Sequence, residues 1–143
     1  MDGQKLLKDY SEDIELGGVF ARSLTKDAEV VVTAAYAIYK EHIILLLDCF
    51  TVVGLLSSRA IDITRESAVE KSLEIVLDVC RAIEQGIVGT PYRVPLPCIA
   101  KLYLDKMIID PWFRETVLNI VRYLSKHRHS GYAVLWRLTR RSY

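Results

Sequence analysis

No aspartate or glutamate follows Glu115 in this 143-residue chain, although Arg122, Lys126, Arg128, Arg137, Arg140 and Arg141 do. That lack exposes a charge division hidden by a formal net charge of +1. Residues 1–90 carry nine basic and fifteen acidic side chains, a balance of −6, and residues 91–143 carry ten basic and three acidic ones, a balance of +7. Such asymmetry points to a polyanion or to an oppositely charged neighbouring subunit, with a solvated basic face as the plainer alternative. Cysteine is scarce: Cys49, Cys80 and Cys98 are odd in number, far apart and set in apolar surroundings. This predicts buried free thiols and a reducing compartment, and argues against a disulfide framework. Long hydrophobic runs are lacking too. The most apolar window, Ile43 to Leu56, spans fourteen residues and contains Asp48, short of the roughly 20 that a membrane helix needs. Met1 to Glu15 is too polar for a signal peptide, so a soluble protein is expected. There is no internal repeat or low-complexity tract, and 51% hydrophobic with 26% charged residues describes one folded domain.

What is present reads as helix. A short helix is expected around Gln4–Tyr10, followed by an irregular arm interrupted by Gly17-Gly18 and ordered by a partner. Thr25 to Asp27 supplies capping chemistry. From Ala28 to Leu56 there is no proline and one glycine, and Ala34, Ala35, Ile38, Tyr39, His42, Ile43, Leu46 and Leu47 recur at helical spacing. The β-branched Val30-Val31-Val32 opens this run. A helix over those 29 residues would be roughly 43 Å long, longer than a small domain is wide. Ser57 to Thr64 reads as a connector, with Thr64 or Ser67 capping the next helix. That helix carries Val69, Leu73, Val76, Cys80 and Ile83 on one stripe and ends at Gly86.

Gly86 to Met107 holds two of the seven glycines and three of the four prolines, so it reads as a hinge of loop and turn. Pro97 suits the first turn of a helix to about Ile109, and Asp110-Pro111 is an N-cap followed by a first-turn proline. The helix begun there has Trp112, Phe113, Val117, Ile120, Val121 and Leu124 as its apolar stripe, with Trp112 and Trp136 as core aromatics. Ser130-Gly131 breaks it, and Tyr132 to about Arg140 is a last short helix. The expected fold is all-α: an arm over 1–27, then one helical domain over 28–143. Long helices fill 28–85, the hinge spans 86–97, and a basic helical body fills 98–143.

Catalytic patterns are thin. His127 and His129 form a pair among cations, which opposes metal binding. His42 reads as a core or interface histidine. Asp78 and Glu84 lie on a charged helix face with no paired acid-base geometry, and Gly86-x-x-Gly89 lacks the strand-to-helix context of a phosphate loop. The chain is therefore read as no enzyme, with no cofactor, metal or small-molecule substrate. The polyanion reading has more to draw on. After residue 91 arginines outnumber lysines seven to three, and guanidinium suits bidentate phosphate contact. The candidate backbone-binding residues are Arg59, Arg65, Arg93, Lys101, Arg122, Lys126, Arg128, Arg137, Arg140 and Arg141. No base-reading helix-turn-helix is evident, so any such binding is sequence-independent.

The run Gln85-Gly86-Ile87-Val88-Gly89, then Arg93, Ile99-Ala100-Lys101 and Leu104 resembles the major coat proteins of rod-shaped and filamentous viruses of hyperthermophilic archaea, the rudivirus, lipothrixvirus and tristromavirus groups. Similarity continues through Trp112–Leu124 and Tyr132, over about the last 60 residues. The resemblance implies a long helical arm joined at Gly86 and Gly89 to a four-helix-bundle-like body. It also implies a homodimer or a heterodimer with a related coat protein, wrapping linear double-stranded DNA, A-form in that family, into a helical filament. The protein would then be made in the host cytoplasm and reside in the virion. Only Gly86, Gly89 and Arg93 match motif positions; the remaining basic candidates rest on charge. One departure is that residues 1–29 are net −3, where such coat proteins present a polar or basic arm. Two other readings stay open: a small helical interaction module whose basic half docks an acidic partner, and a membrane-peripheral protein using Ile43–Leu56.

Overall fold

Gly17 and Gly18 both adopt positive φ, 59° and 84°, as a two-residue hairpin turn demands. They join β1 (Ser11–Leu16) to β2 (Val19–Leu24) as an antiparallel pair in which Asp13 stands opposite Arg22 and Ile14 opposite Ala21. A computed structural model describes residues 3–126 of the chain. Among them are seven α-helices, a π-helical turn and four short strands. The all-α expectation, with a helical arm leading to a four-helix-bundle-like body, is therefore corrected. The short helix expected around Gln4–Tyr10 is α1 (Gly3–Asp9), and the supposed irregular arm after it is this hairpin. Together they are tied down by buried Leu6 and by the Tyr10 hydroxyl, which donates to Glu66 Oε2 at 3.0 Å.

The 29-residue helix does not exist either. Thr25 caps α2 (Lys26–Tyr36), its Oγ1 accepting from the Ala28 N–H at 3.4 Å. The chain then widens into a π-helical turn (Ala37–Glu41) and reverses at His42, which is left-handed at φ 57°. β3 (Ile43–Ile44) follows, paired antiparallel with β4 (Tyr92–Arg93), and His42 O accepts from the Val94 N–H at 3.0 Å. α3 (Leu46–Leu55) starts afresh where the Asp48 carboxylate accepts the Leu45 N–H at 2.8 Å. Helical spacing is blind to such a break. The β-branched Ile43-Ile44 pair finds a strand partner, and Asp48 supplies a new N-terminus.

The expected connector is α4 (Ser58–Glu66), capped by Ser57, whose Oγ accepts the Ala60 N–H at 3.0 Å. α5 (Glu70–Glu84) buries Leu73, Val76 and Cys80 as its stripe predicts, buries Val79 beside them, and leaves Ile83 partly buried. It ends in a Schellman motif at Gly86 (φ 69°): Gly86 N–H bonds to Ile83 O and Ile87 N–H to Ala82 O, both at 2.9 Å. α6 (Leu96–Ile109) and α7 (Pro111–Lys126) complete the described chain, and Asp110 Oδ1 accepts the Phe113 N–H at 3.1 Å as the N-cap of α7.

α2 lies at the centre, buried on two sides. Val30 and Ala34, with Ile38 of the π-helical turn, face the main core with Ile44, Val52, Leu73, Val76, Val94 and Leu102. Ala28, Val31 and Ala35 face a second cluster with Leu6, Ile63 and Val69. The valine run that weakens helix propensity is thus what fills both cores, and burial overrides the weaker local preference. Cys49 and Cys80 form a disulfide between α3 and α5, with Cα atoms 5.4 Å apart. This corrects the expectation of free thiols and removes the argument for a reducing compartment. Cys98 is free and half-buried.

Candidate nucleic-acid interface

The basic residues fall into two groups. Arg59 and Arg65, both on α4, are committed to nearby carboxylates. Arg59 Nε lies 4.0 Å from Asp27 Oδ2; Arg65 Nε lies 2.8 Å from Glu70 Oε1 and its Nη1 3.8 Å from Asp62 Oδ1. Beyond the nominated set, Arg81 pairs with Asp78 at 3.1 Å and Lys71 with Asp105 at 2.5 Å. Arg93 on β4 and Lys101 on α6 are exposed and make no ion pair among the described residues. Arg122 and Lys126 lie together on α7, Arg122 donating to Asn119 Oδ1 at 3.4 Å. Arg128, Arg137, Arg140 and Arg141 lie outside the described residues, as do His127, His129, Trp136 and the expected last helix. Gly86 is the helix stop described above, and Gly89 sits in open space. The hinge that they bound is pinned to β3 through β4, so it is not a free joint.

α7 gathers what the nominated residues share. Glu115, Asn119, Arg122 and Lys126 follow one another at four-three-four spacing along one side. Phe113, Val117, Ile120 and Leu124 do the same along the opposite side. No residue of α7 is buried. Trp112, expected in the core, is 80% exposed, and Ile120, Val121 and Tyr123 are exposed too. Along the apolar side Phe113, Val117 and Leu124 are half-buried and Ile120 is exposed, whereas the side carrying Arg122 and Lys126 is open.

The start of α7 is tied to the body by Lys106. Lys106 is 4% exposed. Its Nζ donates to Ser67 O at 3.2 Å and Ala68 O at 3.0 Å, where the chain turns from α4 into α5 with Ala68 at φ 53°. The same ammonium lies 3.5 Å from Asp110 Oδ2 and within 5.6 Å of the Tyr39 and Phe113 ring centres. Tyr39, Tyr103 and Phe113 pack with ring planes inclined by 59–63° and centres 5.4–5.8 Å apart, and the Tyr103 hydroxyl donates to Tyr39 O at 2.5 Å. Burial pushes the Lys106 pKa down, opposed by the Asp110 carboxylate. Burial pushes the Asp110 carboxyl up, the Phe113 N–H and the Lys106 ammonium are among the groups that pull it down, and the net shift is below the ordinary range. The signal was available: Lys106 and Asp110 are four apart, immediately before Pro111.

Among the described residues no cluster of three or more His, Cys, Asp or Glu could hold a metal ion, and no helix is long and apolar enough to cross a membrane. His42 stacks near Tyr103 at 6.2 Å, and its Nε2 is buried without a hydrogen-bond partner among the described residues. No protein-family model, curated protein or solved structure matches the chain.

Proposed function

We propose that the protein is a structural subunit that assembles with copies of itself and holds double-stranded DNA by its phosphates, without reading bases. The observation that carries this is α7, whose side ending in Arg122 and Lys126 is open to solvent while Trp112, Leu118, Ile120 and Val121 leave apolar surface exposed around it. A packaging subunit needs both properties: surplus apolar surface for neighbours, and cations that meet every sequence alike. The resemblance to coat proteins of rod-shaped and filamentous archaeal viruses supports the same role, through Gly86, Gly89 and Arg93. With the 29-residue helix absent, the DNA contact is assigned to Arg93, Lys101, Arg122 and Lys126, and Arg59 and Arg65 contribute little while paired with acids. Negative-stain microscopy of the purified protein, with and without linear duplex DNA, tests the reading. Filaments or beaded rods that require DNA are expected; small particles unchanged by DNA would overturn it.

A second reading is that the basic half docks an acidic protein. It is favoured by Glu12, Asp13 and Glu15, all exposed on the projecting hairpin, which offer an acidic surface on a neighbouring copy. Salt-sensitive self-association without any DNA affinity would select this reading.

A further inference from the structure

α3 exposes Leu46, Leu47, Phe50, Val53 and Gly54, and every one of these positions is apolar. They recur at i, i+1, i+4, i+7 and i+8, one continuous helix face. Its reverse is anchored by buried Val52 and by the Cys49–Cys80 disulfide. The single ionised residue of the helix, Asp48, is turned away to cap the Leu45 N–H. Phe50 is 67% exposed and Leu47 70%, and exposed Leu45 and Leu56 extend the face past both ends. The patch amounts to roughly 500 Å² per subunit, more than scattered surface apolar residues explain.

We infer that this face is a homodimer interface in which α3 packs antiparallel against α3 of a second copy, about a two-fold axis at Phe50. In an antiparallel pair, facing residues have a constant sum of sequence numbers. With Phe50 facing its own copy, Leu46 faces Gly54 of the partner subunit and Leu47 faces Val53 of the partner subunit. All five exposed positions then pair among themselves, and the largest mismatch is useful: Leu46 fills the space that Gly54 leaves empty. A slip of one turn in either direction leaves two of the five positions beyond the end of the facing helix. The face is thus self-complementary, as an isologous contact requires. Two such patches bury about 1,000 Å², the threshold of a specific interface. A lipid surface fits less well, because α3 has no Lys or Arg, the residues that rim an interfacial helix.

The inference rests on the self-assembly part of the proposed function and supplies its first contact. Sedimentation equilibrium of the full chain tests it. The wild type should be a dimer, and Phe50→Glu should weaken dimerisation by about 100-fold or more. Gly54→Leu is the sharper variant. A side chain at Gly54 meets nothing within 4 Å in the subunit, so the substitution should raise the thermal midpoint at concentrations dilute enough for monomer while displacing Leu46 of the partner subunit and weakening the dimer. In a Cys98→Ser background, Phe50→Cys should cross-link to its own copy on mild oxidation, and Arg59→Cys should not. A wild type monomeric throughout, a dimer that survives both Phe50→Glu and Gly54→Leu, or a monomer that adsorbs to phosphatidylcholine–phosphatidylglycerol vesicles through this face would overturn the inference. A dimer without DNA affinity would leave this interface standing and remove the DNA reading. A monomer that binds DNA would do the reverse.

Discussion

The Lys106 ammonium lies 3.5 Å from the Asp110 carboxylate and, at the same time, closes the turn between α4 and α5 through two backbone carbonyls. One side chain therefore joins the start of α7 to the body of the protein. A cation at the C-terminal end of α4 also meets the negative end of that helix. Replacing Lys106 with Ala should destabilise the fold by about 3 kcal/mol, because Asp110 and the two carbonyls lose a partner in a largely dry site. Lys106→Met, which keeps the aliphatic stem against Tyr39 and Phe113, should cost less. Urea denaturation of both variants checks the order; equal midpoints to wild type would show that the ammonium contributes nothing.

His42 gives the fold a pH dependence of definite sign. Burial lowers its pKa below the ordinary 6.5, with Glu41 opposing, so the unfolded chain takes up its proton first as pH falls. Stability should be fully present above pH 6.5 and decline as pH drops through that value toward the lower folded pKa. Asp105 and Asp110 are both depressed below 3.8, so their losses come at more acidic pH. His42→Asn, which tolerates the left-handed backbone, should flatten the urea midpoint between pH 7 and 5.5. A variant with an unchanged slope would assign that dependence elsewhere.

The Cys49–Cys80 disulfide closes a loop with a sequence separation of 31 residues. Reduction, or the pair Cys49→Ser and Cys80→Ser, should lower stability by about 3–4 kcal/mol on a loop-entropy basis. Thermal melts with and without reductant check this, and coincident melts would show that the cross-link is dispensable. Reduction also frees the helix carrying Phe50, so dimerisation should weaken together with stability.

The elements that were legible in the sequence are those whose partner is their own periodicity or their own cap. α5 shows its stripe and its Gly86 stop, and α7 shows Asp110 and Pro111. The elements that were not legible depend on residues distant in the chain. Ile43-Ile44 became strand because Tyr92-Arg93 lies alongside, and Cys49 met Cys80 because α3 and α5 pack together. The hairpin is the exception. Gly17-Gly18 between SEDIEL and VFARSL is a local signal, obscured because the strands are short and largely exposed, with only Ile14, Leu16, Val19 and Ala21 making an apolar face. At the interface the opposite happened. Charge alone grouped Arg59 and Arg65 with Arg122 and Lys126, yet the first two already have carboxylates within 4.0 Å.

The central claim, phosphate contact by the basic half, is tested most directly by titrating random-sequence linear duplexes against sodium chloride. Wild-type affinity should fall steeply with salt and be indifferent to sequence, and replacing both Arg122 and Lys126 with Ala should reduce the logarithmic salt slope by about 2. Arg93→Ala should reduce it by about 1, whereas Arg65→Ala should leave it unchanged. Binding that ignores salt, prefers one sequence, or survives loss of Arg93, Arg122 and Lys126 with its slope intact would contradict the account.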